Sequence, residues 1–194
     1  DSNGNKGTAV VATVSGTSIS FGTLVIYEQG ETLGVSVTYD ANAQKVVIAY
    51  VDQTNSFKGT AIVGTVSGTN ISFGTAVVFK DANIGYTPVS VVYNAAAQKV
   101  IISYIDTGNG YYATAAIGTL SGTDISFGTD VALNSVNSST TIPLVYDENA
   151  KAVVLSYEDQ GNGRYGTSVV FQPAYTATNF TAENFIGMSR GPTS

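Results

Sequence analysis

The pentapeptide Ile-Ser-Phe-Gly-Thr stands at Ile19–Thr23, Ile71–Thr75 and Ile125–Thr129, so one pattern recurs at intervals of 52 and 54 residues. Each copy follows a Ser-Gly-Thr turn, at Ser15–Thr17, Ser67–Thr69 and Ser121–Thr123. Few architectures accommodate such a period. A unit of about fifty residues is too long for one hairpin and too small to bury a core alone, so it must pack against copies of itself.

The stretch after the first marker gives the order of elements. Val35–Tyr39 alternates apolar and polar residues, as a half-buried strand does. Asp40–Gln44 reads as a turn, and Val46–Tyr50 is the continuous apolar run of a strand covered on both faces. A polar loop, Asp52–Ser56, leads into Gly59–Val66, and Ile71–Phe79 follows the Ser67-Gly68 turn. We call these four strands A, B, C and D. The next unit repeats them at Val89–Tyr93, Val100–Tyr104, Ala113–Leu120 and Ile125–Leu133. The last supplies Ile142–Tyr146, Val153–Tyr157 and Gly166–Phe171, and the first holds only C (Thr8–Val14) and D (Ile19–Ile26). β-Branched and aromatic residues dominate these segments, and no stretch keeps a helical period for three turns. The expected class is all-β: tandem four-stranded antiparallel meanders in one repeat domain, residues 1–171. It divides into a partial unit 1–27 and units 28–80, 81–134 and 135–171. Residues 172–194 form a C-terminal strand or tail, in which Thr176–Ile186 is a last D strand, a free tail or a strand donated to a neighbour.

Such units can be arranged as propeller blades or stacked in a line. Thirteen strands make about three and a half blades, short of the roughly four to eight of closed propellers. The opening Asp1–Asn5 matches the B–C loops at Asp106–Gly110 and Asp159–Gly163, so the chain begins mid-unit and, lacking an initial methionine, reads as a processed or excised piece. An unpaired C strand exposes backbone donors and acceptors that something should cover. Self-association is therefore expected, as a ring of two chains or a head-to-tail filament.

Composition excludes several classes of function. The formal charge of −6 offers no basic stripe for nucleic acid or for an anionic membrane surface. No run approaches the roughly 18 apolar residues that span a bilayer, so membrane insertion is not expected. The chain has no cysteine and no histidine, which removes disulfides, thiol proteases, Ser-His-Asp triads and His-ligated metals. No cofactor is expected. Only 11% of residues are charged, so Ser, Thr, Asn and Gly carry solubility.

The combination of Val-Ser-Gly-Thr-(Ser/Asn/Asp)-Ile-Ser-Phe-Gly-Thr with Tyr-(Asp/Asn)-…-Lys-Val-Val-Ile-Ala-Tyr resembles the repeats of marine phage tail-fibre and virion structural proteins. The resemblance covers residues 1 to about 171, and Thr178–Gly187 is similar to the stretch that ends such arrays. It implies a surface-exposed structural or receptor-binding part and names no ligand.

Three groups of residues are candidates for chemistry or binding. Asp52, Asp106 and Asp159 end strand B, followed three residues later by Asn55, Asn109 and Asn162. Such oxygens suit calcium. One carboxylate per loop lacks a calcium loop's alternating acidic pattern, however, and these residues also cap their own turns. The turn reading is preferred, and no metal is expected. Glu28 with Glu31, or Glu158 with Asp159, are nominal carboxylate pairs for glycoside hydrolysis. The first pair sits in a polar loop and the second points to opposite strand faces, so no catalytic residue is assigned. The B–C loops carry Phe57-Lys58, Tyr111-Tyr112 and Arg164-Tyr165 at matching places. In a meander these loops share an edge with the D–A segments Lys80–Tyr86 and Asn134–Thr140. Aromatic faces beside Asn, Asp and Arg suit a sugar-binding surface; the same rings would also serve to pack neighbouring units. Tyr39/Tyr50, Tyr93/Tyr104 and Tyr146/Tyr157 end strands A and B in every unit, which marks them as architectural, with the ring buried and the hydroxyl at a rim. Asn70, Asn137 and Asn179 begin Asn-x-Ser/Thr triplets that a glycosylating host would modify if exposed.

The expected function is a non-enzymatic, extracellular structural and adhesion module of a phage tail fibre or similar surface filament, attaching multivalently to a host surface or glycan. The alternatives are a soluble lectin-like propeller that binds carbohydrate and a polysaccharide-cleaving tailspike domain.

Overall fold

A computed structural model describes residues 3–138, 141–171 and 185–188 of the chain. Its strands are β1 (Lys6–Ala9), β2 (Ala12–Ser15), β3 (Ser18–Phe21), β4 (Val25–Asp40), β5 (Lys45–Asp52), β6 (Lys58–Ser67), β7 (Asn70–Phe73), β8 (Val77–Asn83), β9 (Ser90–Asn94), β10 (Lys99–Asp106), β11 (Tyr112–Ser121), β12 (Asp124–Phe127), β13 (Val131–Asn137), β14 (Leu144–Asp147), β15 (Ala152–Asp159), β16 (Tyr165–Phe171) and β17 (Phe185–Met188). A single 3-10 turn, Gln160–Asn162, joins β15 to β16. The protein is all-β, and its sheets are antiparallel. They run β1-β4-β5-β6-β7, with β8 also on β6; β9-β10-β11-β12, with β13 also on β11; β14-β15-β16-β17; and the hairpin β2-β3. Segment 185–188 occupies the D position of the last full sheet through Val169↔Met188 and Phe171↔Phe185. The rest of the expected C-terminal strand or tail, and Asn179, lie outside the described residues.

Alternation along strand B builds the core. Val47, Ala49 and Val51 face the next unit, where they join Val91, Val100, Ile102 and Tyr104 in one buried layer. Ile48 and Tyr50 face the other way, toward Tyr27 and Ala9 of the first unit. One unit later Ile101 and Ile105 turn toward Val153, Leu155 and Tyr157. Each B strand between two units is therefore apolar on both faces, which is why its sequence reads as a continuous run rather than an alternation.

Strand D departs from the expectation of one unbroken strand. β7 stops at Phe73 and β8 starts at Val77, although both line the same edge of β6. The ladder passes through the gap by Gly74 N donating to Val63 O at 2.9 Å. The same break falls between Phe127 and Val131, so it belongs to strand D itself, and in the first two units the neighbouring unit occupies it. A Cβ on Gly74 would collide with the carbonyl oxygen of Thr123, and one on Gly22 with that of Thr69. The Ser-Gly-Thr turn of one unit thus seats on the marker glycine of the unit before, and the repeated peptide is an interlock between units.

The first unit is further broken, since C divides into β1 and β2 and D into β3 and the start of β4. β6 and β11 are held by seven residue pairs each to a B strand, whereas β1 has β4 alone beside it. Its opening loop also matches the others one residue later than the sequence suggests. Gly4-Asn5 carries the positive-φ pair found at Ser56-Phe57, Gly110-Tyr111 and Gly163-Arg164. β4 runs unbroken from D of the first unit to A of the second, because the connection from Glu28 to Val35 is two residues shorter than that from Lys80 to Val89. That difference accounts for the two unequal periods.

Neighbouring A strands lie side by side, tied by hydroxyls. Val91 N donates to Ser36 Oγ and Tyr93 N to Thr38 Oγ1, each at 3.1 Å, and Leu144 N donates to Ser90 Oγ at 3.2 Å.

Candidate functional site

The B–C loops turn on two consecutive left-handed residues, and in three loops the second is Phe57, Tyr111 or Arg164. A bulky side chain at positive φ is disfavoured, so the loop must be held from outside. The D–A connection of the same unit does this: Ile84 N donates to Phe57 O at 3.0 Å and Ser138 N to Tyr111 O at 2.9 Å. The next unit's loop then rests on that connection, with Thr107 Oγ1 donating to Asn83 O at 2.5 Å and Gln53 N to Glu31 O at 3.1 Å. B–C loops and D–A connections therefore alternate along one edge, as a meander requires.

The six sequence candidates fare differently on this edge. Phe57 is half-buried and stacks on exposed Tyr86, ring centroids 4.7 Å apart. Lys58 pairs with Asp81 at 2.7 Å, which holds the Asp81 carboxyl below its ordinary range. Tyr112 is half-buried in β11, opposite Asn137. Tyr111 and Tyr165 are exposed, and Arg164 Nε lies 3.7 Å from Glu158 Oε1. Phe57 and Tyr86 form the one ring contact on this edge among the described residues. Tyr111 and Tyr165 present free faces to solvent.

Two of the recurring aspartates build turns, while Asp159 makes no side-chain cap bond and its Oδ1 is buried without a hydrogen-bond partner among the described residues. Asp52 Oδ1 accepts from Thr54 Oγ1 at 2.8 Å and from Asn55 N at 3.0 Å, and Asp106 Oδ1 accepts from Gly108 N at 3.1 Å. The nominal carboxylate pairs are likewise engaged separately. Glu28 Oε1 accepts from Gly30 N and Oε2 from the Tyr50 hydroxyl, while Glu31 accepts from Asn5 Nδ2 at 2.9 Å. Asn70 and Asn137, which begin two of the triplets, are exposed.

No protein-family model matches the chain, and no curated protein is significantly similar to it. Its function must be read from the geometry.

Sequence reasoning missed one polar station. Glu28, Lys80 and Asn134 share a register position in strand D and meet the B-strand tyrosine end of the following unit. Lys80 Nζ donates to Asp106 Oδ2 at 2.6 Å and Asp130 Oδ2 at 3.2 Å, and lies 5.9 Å from the Tyr104 ring centroid. Burial alone would lower the Lys80 pKa, but the bonds and charges of the two carboxylates outweigh it and hold the pKa above its ordinary value. The Tyr104 hydroxyl is buried without a hydrogen-bond partner; burial, then the charge of Asp130, pushes its pKa far up. Lys80, Asp106 and Asp130 line an open depression of about 470 Å³ with Asn109 and Thr114. The only sequence signal was a lysine in a D strand whose counterparts differ. Lys80→Ala would leave two carboxylates facing each other with Asp106 buried, so a loss of about 1–2 kcal/mol is expected at neutral pH. Denaturant titration of the variant beside the parent at neutral pH reads the loss.

Proposed function

We propose that this protein is a non-enzymatic, extracellular repeat module of a surface filament of the phage tail-fibre kind, with its sheets stacked as propeller-like blades. Its B–C edge makes weak, repeated contacts with a host-surface glycan, and its uncovered end associates with neighbouring repeats. The observation that carries this reading is the alternation of B–C loops and D–A connections along one edge, which brings exposed Tyr86, Tyr111 and Tyr165 to that edge from three of those connections. Exposed rings beside Asn and Arg donors suit sugar C–H faces, and several weak contacts on one edge raise avidity.

The double variant Tyr111→Ala/Tyr165→Ala tests it. Both side chains are exposed, so the thermal midpoint should stay put while the signal of multivalently displayed protein on a glycan array falls about tenfold or more. Unchanged array binding would dispose of this edge as the attachment surface. Electron microscopy of the native material tests the filament: regular axial repeats support it, and isolated particles at high concentration count against it.

A further inference from the structure

The third and fourth units cover strand A with the strand A of the unit before; the second, which follows a partial unit without a strand A, does not. Val89, Val91 and Tyr93 of strand A in the third unit are 4%, 7% and 7% exposed. Their register mates one unit earlier, Val35, Val37 and Tyr39, are 51%, 61% and 55% exposed. The amides of Val91 and Tyr93 are met by hydroxyls of the preceding A strand, and among the described residues no side-chain oxygen meets Val37 N or Tyr39 N. Among the described residues β1 pairs with β4 alone, so the same end leaves it a free edge. Three observations therefore outline one vacancy: an apolar stripe, two amides in need of acceptors, and an edge in need of a strand.

The opposite end differs in chemistry. Val51 and Ile105, buried against the next unit, have Glu158 as their register mate in the fourth. Ala61 and Ala115 give way to Ser168, exposed and 2.9 Å from Ser156 Oγ. Ser36 and Ser90, which bond the following A strand, are matched by Pro143, which has no hydroxyl to offer. Polar substitution on an outer face is how repeat arrays are capped.

We propose that the upstream face is a docking site for an A–B strand pair of this same repeat, and that repeats add on that side only. The B strand completes the edge of β1. The A strand covers Val35, Val37 and Tyr39 and presents hydroxyls to the Val37 and Tyr39 amides, as Ser36 and Thr38 do one unit later. A whole second copy docked head to tail is disfavoured, because it would press Pro143, which offers no hydroxyl, and the charged Glu158–Arg164 pair against an apolar face. This inference deepens the assembly part of the proposed function and is independent of sugar binding, so each can fail alone.

The test supplies the missing pair within the chain, by replacing Asp1 with a second copy of Leu33–Gln53. The expected result is a thermal midpoint raised by about 5 °C or more, with the Val37 and Tyr39 amides newly protected from hydrogen exchange. Val37→Asp should be nearly silent in the original chain and should abolish the gain in the extended one. An extended chain with no rise and no new protection overturns the proposal. So does a Val37→Asp cost as large in the original chain as in the extended one, since that face would already be covered. Concentration-dependent assembly of the original chain that Val37→Asp abolishes would make a second copy the occupant and overturn it equally.

Discussion

Gly74→Val is expected to destabilise the protein by about 3 kcal/mol or more, far beyond the cost of a valine at an ordinary strand position. The φ of Gly74 is not positive, so the backbone itself would accept a side chain. The obstacle is the carbonyl oxygen of Thr123, which occupies the place of the missing Cβ. A backbone oxygen cannot rotate aside as a side-chain end can. The C–D turn of the third unit would have to lift, carrying Ile125 and Phe127 away from Phe79 and the layer between the second and third sheets. Gly22→Val meets Thr69 O in the same way but at the partial first unit, so less of the core depends on it. Gly128 has nothing within 4 Å of the corresponding position among the described residues, and Gly128→Val should cost under about 1 kcal/mol. Guanidinium unfolding of the three variants reads the ranking. Equal losses at Gly74 and Gly128 would mean that glycine is kept for local strand geometry and not for the interlock.

This glycine also marks where the sequence stopped being legible. Spacing alone locates the repeat, the class and the order of the four strands, because periods of two and continuous apolar runs report burial directly. The same signals cannot report which unit a residue faces. Phe73 and Gly74 look like consecutive strand residues, yet one packs on Tyr27 of the preceding unit and the other receives a turn of the following one. Tyr39 illustrates the point from the other side. It matches Tyr93 and Tyr146 in sequence and shares the expectation of a buried ring, but it is exposed because no A strand lies in front of it. The candidate binding edge was legible as a set of loops, since turn residues at equal spacing must emerge together. Its internal division was not: Phe57 is taken up by Tyr86 and Lys58 by Asp81, contacts between segments more than twenty residues apart that no local pattern encodes.

Alkaline unfolding should begin near pH 10, driven by the buried tyrosines. Burial raises the pKa of Tyr50, Tyr104, Tyr27 and Tyr157 above the ordinary 10.0 and pushes Tyr93 up to about 12, with the carboxylates of Glu28, Asp40, Asp130 and Asp159 adding to it. Above pH 10 the unfolded chain releases these phenolic protons while the folded chain keeps them. The folded state then binds more protons, so stability falls as pH rises, and nothing is lost below pH 10. Tyr50 and Tyr104 are fully buried, and each should contribute a loss of about 1.4 kcal/mol by about pH 11. Tyr104→Phe separates this cause from general base damage. Among the described residues its hydroxyl faces the Asp130 carboxylate without a hydrogen bond of ordinary geometry, so the variant should lose little stability at pH 7 and should unfold at higher pH than the parent. Tyr50→Phe gives up the bond to Glu28 and should lose a little stability at pH 7 while gaining the same alkaline resistance. Unfolding midpoints read by circular dichroism across pH 8–12, with phenolate absorbance followed in parallel, would check both. An absorbance component that precedes loss of structure and is missing from Tyr104→Phe would mean that the buried ring titrates in the folded state, and burial would not be what limits alkaline stability.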